Sequence, residues 1–346
     1  MKKLFLLSVL FVIAITAKSQ TPLIITEGEP TLVYALPETE LCIVVETEKT
    51  TVKPGMFYRY SERYLATNKV ITEEKTTYRL KSIQVIPRAV PDPDRTFSYT
   101  PSGNLQSNHL SINAKGILCG VNVPVEKDID CPKNNLFPLK DNTRQDALLP
   151  LGEEYMMAGS EAKLAEGAAK QIYRIRESRL SLLTADQDKL PADGESFKSM
   201  LEGMNAMEKE LTALFIGNVT KESQVQNLYL TPSVAVANDV AFRLSALKGL
   251  VNADDLSGTP YYISIKPTEI KKTGNNSKAK NERTGLYYVL PSSTVITLGD
   301  GVNTVYSGQF FIPQFGITIP LSESLFKQSG IKISIDPQTG RLLKVE

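Results

Sequence analysis

The sequence predicts an α+β protein whose β-rich N- and C-terminal regions flank a central αα-hairpin. Three observations predict it. Strand-forming residues with period-two patterning dominate up to about Pro150 and again after Gly217. Between those regions, apolar residues recur at helical spacing in two runs joined by a polar break. The chain has 346 residues, 42% of them hydrophobic and 22% charged, which is enough for packed cores and too long for one ordinary domain. The expected divisions are a signal peptide over 1–19, a β-rich domain over 20–155, the helical hairpin over 156–217 and a second β-rich domain over 218–346.

The leader is read from its charge and hydropathy. Met1-Lys2-Lys3 is basic, Leu4–Ile15 is apolar apart from Ser8, and Thr16-Ala17-Lys18-Ser19 supplies small residues before Gln20. A charged start, an apolar stretch of about a dozen residues and a small-x-small exit make a secretory signal peptide. An anchor would need about 20 apolar residues. Cleavage is expected after Ser19, and no Cys sits there to carry a lipid. The mature protein is therefore expected to be soluble, periplasmic or extracellular, and not a lipoprotein.

In the first β-rich region, Thr31–Leu36 and Glu40–Val45 flank Pro37, and Thr77–Val85 alternates as a half-buried strand. Pro87, Pro91, Pro93, Pro101 and Pro132 predict short strands and long loops beyond it. A short helix is expected at Met56–Ala66, with Phe57, Tyr60 and Tyr64 on one face. In the helical region, Leu164, Ala168, Ile172, Ile175 and Leu183 give the first helix. Phe197, Met200, Leu201, Met204, Leu211, Leu214 and Phe215 give the second, with Asp193 as its N-cap and Gly217 as its stop. Core filling accounts for the Met200, Met204 and Met207 series. Strands then return at Val240–Leu244, Tyr261–Ile265, Ile331–Ile335 and Arg341–Val345, the last two joined by an Asp-Pro…Gly turn at Asp336–Gly340. The basic stretch Lys271–Thr284 reads as a hairpin tip.

One small repeat stands out. Tyr34-Ala-Leu-Pro37 is nearly respelled at Tyr288-Val-Leu-Pro291, each followed by a β-rich run. Proline removes a ladder donor, so each copy is expected to mark a strand end or edge of the scaffold.

Little in the chain suggests catalysis. Lys plus Arg number 39 and Asp plus Glu 38, so no global field favours nucleic acid or an anionic membrane. The single histidine, His109, lies in a polar context, and HExxH, GxSxG and a phosphate loop are missing. The acids Asp186, Asp188 and Asp193 precede Gly194 in the wrong register for a calcium loop. No catalytic, cofactor-binding or metal-ligating residue is nominated, and no cofactor is expected. Cys119 and Cys131 could bridge a short loop in an oxidising compartment, while Cys42 sits in the apolar run LCIVV. The densest charged group on a helix is Arg174–Arg179. Arg176 and Arg179 share a face there, a candidate interaction surface for the acidic linker or a partner protein.

Several stretches together resemble a known family: LVYALPETELCIVVETEKT with KPGMFYRYSERYL, GAAKQIYRIRESRLSLL with PADGESF, and VAFRLSALKGLV with GLYYVLPSS. That family is an uncharacterised group of exported proteins typical of Bacteroidetes-type envelope bacteria, defined as a domain of unknown function. The resemblance spans most of the mature chain and implies export and a shared fold. It carries no activity, ligand or site residue.

The resulting expectation is an exported envelope protein acting as a non-catalytic binding or assembly module through protein–protein contacts, with an envelope protein as partner. Two alternatives stay open. One is a carboxylate-based hydrolase of an envelope or dietary polymer. The other is a glycan-binding protein using some of the 14 Tyr, since Trp is absent.

Overall fold

A computed structural model describes residues 24–25, 30–99, 109–125, 153–157, 159–184, 194–268, 285–322, 325 and 330–346. The chain begins with β1 (Ile24–Ile25) and β2 (Pro30–Lys53), a 3-10 turn at Tyr58–Tyr60, and α1 (Ser61–Leu65). Then come β3 (Lys75–Tyr99), β4 (Leu110–Ile112) and β5 (Leu118–Val121). The helical centre is α2 (Glu153–Met156), α3 (Glu161–Leu183) and α4 (Gly194–Ile216). Next are β6 (Asn218–Leu230), β7 (Val236–Ser245), β8 (Gly249–Val251) and β9 (Thr259–Pro267). The last strands are β10 (Tyr287–Gly299), β11 (Thr304–Pro320), β12 (Ile333–Ile335) and β13 (Leu342–Val345). Strand-rich regions thus surround a central helical hairpin, as the periodicities predict.

The strands form three sheets that interleave the two ends of the chain. In the first, β2 pairs with β1, with β3 and, from the far side of the hairpin, with β6. The second runs β11-β10-β9-β7-β8 and the third β13-β12-β5-β4. Leu41, Ile43 and Val45 alternate onto one face of β2 and pack, with Ile83 and Val85 of β3, against Phe242, Ile263, Ile265, Ile296 and Leu298 of the second sheet. That is a β-sandwich core. A second core gathers Tyr34, Leu36, Tyr99, Val289, Ile333 and Ile335 where the first halves of β2 and β10 meet the third sheet.

Two of the proline expectations are corrected by the fold. The strand β3 runs unbroken through Pro87, Pro91 and Pro93. Among the described residues it pairs only with β2, and an edge strand needs half of its donors for the ladder, so proline is tolerated there. The YxLP prolines lie inside strands rather than at their ends, and the edge alternative holds for both, because β6 joins β2 only from Leu41 and β9 joins β10 only from Thr294. The β2–β3 register shifts between Ala35 and Pro37, and the β10–β11 register shifts between Leu290 and Ser292. At a bulge the ladder already skips a bond, so the missing N–H costs nothing, and the strand bends from one core into the other.

Polar side chains pin these corners. Arg95 donates to the Pro37 carbonyl at 2.9 Å, the Pro313 carbonyl at 3.0 Å and Asp92 Oδ2 at 2.5 Å. Gln314 Oε1 accepts from the Thr39 N–H at 2.9 Å, while its amide donates to the carbonyls of Thr39 at 2.8 Å and Pro232 at 3.1 Å. The Tyr34 hydroxyl donates to the Gly285 carbonyl at 2.8 Å and accepts from the Tyr287 N–H at 2.9 Å. Burial holds that phenol well above its ordinary pKa. The first YxLP tyrosine therefore clamps the start of the strand that carries the second.

The hairpin stands on its own small core. Ala165, Ala168, Ala169, Ile172 and Ile175 make the buried stripe of α3, and they meet Leu211 and Phe215 of α4 and Phe57. The expected helix at Met56–Ala66 is the 3-10 turn plus α1, and Tyr60 and Tyr64 pack on this core. Gly55 allows the approach: a Cβ there would sit 2.3 Å from the Leu214 carbonyl oxygen. Two residues on, the Phe57 N–H donates to that same oxygen at 2.6 Å. The N-cap of α3 is Ser160. Asp193, expected to cap α4, lies outside the described residues.

Candidate protein-contact site

The strand β6 issues directly from α4. Gly217, at φ +93°, makes the reversal, and a Cβ there would meet the Lys53 carbonyl oxygen at 2.5 Å. One edge of β6 pairs with β2 from Leu230 opposite Leu41 to Asn218 opposite Lys53. Its other edge, 13 residues long, has no strand beside it among the described residues. The sequence of that edge, NVTKESQVQNLYL, contains no proline, and Lys221 is its single basic residue. Edges are usually defended by proline, bulges or several charges, because an unpaired row of N–H and C=O groups is a template for another strand.

The strand is firmly held from its inner side. Glu46 of β2 accepts hydrogen bonds from Lys81 at 2.7 Å and from Ser82 at 2.8 Å, both on β3, and from Ser223 of β6 at 2.5 Å. These donors, Lys81 first, pull the Glu46 carboxyl down to about 2. A carboxylate common to three strands ties β6 to β2 and β3.

A hollow lies at each end of the edge. At the start, Arg176 and Arg179 of α3 and Glu208 and Lys209 of α4 surround Asn218 and Val219 in a crevice of about 470 Å³. At the end, Leu228 and Leu230 face Val234, Val236, Val240 and Ile263 across a groove of about 310 Å³ between the two sheets of the sandwich. The first is cationic, and the second is mainly aliphatic, with Thr231, Ser233 and Asp239 also in its wall.

Arg176 and Arg179, the interaction face expected from spacing, are brought together on one carboxylate. Arg176 Nε donates to Glu208 Oε1 at 2.6 Å. Arg179 Nη1 donates to Glu208 Oε2 at 2.5 Å and to Asn205 Oδ1 at 2.7 Å. The pair thus ties α3 to α4, and Arg176 followed by Arg179 holds the Glu208 carboxyl below the usual carboxylate range. Spacing alone could not select Glu208, because Glu202 and Glu210 lie on the same helix. With Lys209 added, the crevice keeps three cations against one carboxylate.

The remaining sequence candidates are placed as follows. Cys119 is buried and its thiol donates to the Ile117 carbonyl at 3.6 Å. Its expected partner Cys131 lies outside the described residues, as do Asp186, Asp188 and Lys271–Thr284. His109 is exposed, and its backbone N–H donates to Asn122 Oδ1 at 2.8 Å. Asp92 is committed to Arg95 and Glu40 to Arg88. Among the described residues no group of three or more His, Cys, Asp or Glu is arranged to hold a metal. The tyrosines most exposed there, Tyr173 and Tyr229, sit on different elements, α3 and β6, and each has an arginine over its ring. No helix among the described residues is long and apolar enough to cross a membrane.

Sequence reasoning missed the β6 edge because its signal is indirect. Nothing in NVTKESQVQNLYL says which flank is left open; that follows from pairing with a strand 177 positions away, as between Thr47 and Gln224.

No curated protein and no solved structure matches the chain. Residues 31–343 match the family model of a domain of unknown function (DUF4831), and the chain belongs to that family.

Proposed function

We propose that the protein is an exported, non-catalytic binding or assembly module of a bacterial envelope, working by protein–protein contact at the outer edge of β6. The observation that carries this reading is the outer side of β6, which has no strand beside it among the described residues and lies between a cationic crevice and a mainly aliphatic groove. Main-chain hydrogen bonds along such an edge supply affinity, and side-chain pockets beside it supply selectivity. The leader at residues 1–19 supports export to the periplasm or beyond. The acidic side chains Asp92, Glu40, Glu46 and Glu208 are each tied to a cation, an arrangement suited to holding strands and helices together.

Affinity capture from the native envelope tests this. Wild-type protein should retain a partner that a Val219→Lys/Tyr229→Lys variant loses by about tenfold or more, because lysine on an edge strand opposes strand addition. Val219 and Tyr229 are 52% and 51% exposed, so the fold should tolerate both changes, which an unaltered thermal midpoint would verify. Equal capture by the two proteins contradicts the reading. Turnover of an envelope polymer by wild-type protein that retains no partner would favour the hydrolase instead.

A further inference from the structure

The second sheet ends on β11, and the sequence of that strand is close to self-complementary. We propose that two copies of the chain join there, β11 against β11 in antiparallel pairing about a two-fold axis at Gly308, so that their second sheets become one continuous sheet. This contact belongs to a different sheet from β6 and does not depend on the reading of β6.

The outer flank of β11 is open. Among the described residues the strand pairs only with β10. The Thr268 N–H donates to the Ser293 carbonyl at 2.7 Å, so Ser293 turns its main chain toward β9 and, by alternation, Ile296 and Leu298 turn theirs toward β11. Ile296 lies opposite Gly308 and Leu298 opposite Tyr306, which commits those two residues of β11 to β10. The N–H and C=O groups of Ser307, Gln309 and Phe311 then point away from β10, and all three residues are exposed.

The strand also reads nearly the same in both directions. Within Val305–Phe311, VYSGQFF, an axis at Gly308 sets Tyr306 opposite Phe310, Ser307 opposite Gln309 and Val305 opposite Phe311 of the other copy. Aromatic then meets aromatic on the core side and aliphatic meets aromatic on the outer side, the cross-strand pairs that stabilise a sheet. Tyr306 and Phe310 are only partly buried at the margin of the sandwich core, and Val305 and Phe311 are 41% and 51% exposed. Pairing would cover all four in both copies. A Cβ at Gly308 would run into the Tyr306 hydroxyl and the Phe310 ring, so glycine lets both rings close over the axis.

Charge singles out a second copy as the occupant. From Thr304 to Pro320 the strand contains no Asp, Glu, Lys or Arg, so it meets its own copy without like charges in opposition and offers a charged strand nothing to pair with. The nearest cation, Arg341 over the Phe311 ring at 5.7 Å, would stand at opposite ends of the paired segment in the two copies, about 20 Å apart at 3.4 Å per residue. The paired segment has about nine residues a side, against about 20–30 in a standard interface, so the dimer should dissociate at micromolar concentration.

Sedimentation velocity of the mature chain from about 1 to about 100 µM tests the proposal, and a monomer–dimer equilibrium is expected across that range. Ser307→Lys/Gln309→Lys sets lysine against lysine at both 307–309 contacts and should weaken dimerisation by about tenfold or more. Ser307→Lys/Gln309→Glu sets lysine against glutamate in the same register and should dimerise within about threefold of wild type. Gln309 donates to Ser293 Oγ at 2.5 Å, so both variants lose that one exposed bond alike, and an unaltered thermal midpoint would verify the fold of each. Wild-type protein that stays monomeric at the highest concentration overturns the proposal. So does equal association of the two variants, which would place the contact elsewhere or in another register, and so does growth past the dimer, which would make the strand an aggregation edge.

Discussion

Replacing Arg95 by methionine is expected to cost about 3–5 kcal/mol of folding stability, because it strands a buried carboxylate and two carbonyls at once. Arg95 and Asp92 are 17% and 10% exposed in their side chains, so water does not compensate the loss. The guanidinium joins the corner of β2 at Pro37 to the corner of β11 at Pro313, linking two sheets through a single side chain. Urea unfolding of Arg95→Met and of Asp92→Asn/Arg95→Met separates the contributions. The double variant should recover part of the loss, since its neutral amide is cheaper to bury than an unpaired charge. A cost below about 1 kcal/mol for the single variant would mean that the corners are held by packing alone.

Phe215→Ala should cost a comparable amount, about 3–5 kcal/mol, by opening a cavity at the foot of the hairpin. Phe215 is fully buried, packs against Phe57 with the rings tilted by 53° and their centroids 5.5 Å apart, and with Leu211 makes up the buried residues of α4. The two residues lie in the last six positions of a 23-residue helix, so the anchorage is concentrated at one end. Of the methionines expected to fill the core only Met204 packs on it, and Met207→Ala, at a position 39% exposed nearer the tip, should cost less than about 0.5 kcal/mol. Urea unfolding of both variants makes the comparison, and equal costs would show that the hairpin is anchored along its whole length. Because Gly217 leads from Phe215 straight into β6, loosening this foot should also disturb the cationic crevice.

Local elements were legible in the sequence wherever a period was sustained. The 3.6-residue repeat in GAAKQIYRIRESRLSLL gives α3, and Ile172 and Ile175 fall on its buried stripe as spacing requires. Asp336-Pro…Gly340 gives the turn between β12 and β13: Asp336 accepts from the Gln338 N–H at 2.9 Å, and Gly340 takes φ +68°. What could not be read was long-range pairing. The union of β6 with β2 and of β12 with β5 depends on which of several polar-edged strands find each other across the chain. The YxLP repeat shows the same limit, since a proline that reads locally as a strand end is accommodated by a bulge inside a longer strand. For the site, Arg176 and Arg179 were visible as a shared helix face. Their common partner Glu208, the crevice it shares with Lys209, and the open flank of β6 exist only once helix and strand are assembled.

Residue-resolved amide exchange along β6 in the isolated monomer tests the central claim most directly. In an antiparallel pair, successive N–H groups alternate between the partner strand and the opposite side. The account predicts alternation: amides facing β2 protected, the intervening ones exchanging at rates close to those of free peptide. Uniform protection from Asn218 to Leu230 in the monomer would show that the outer edge is already occupied, and would contradict the account.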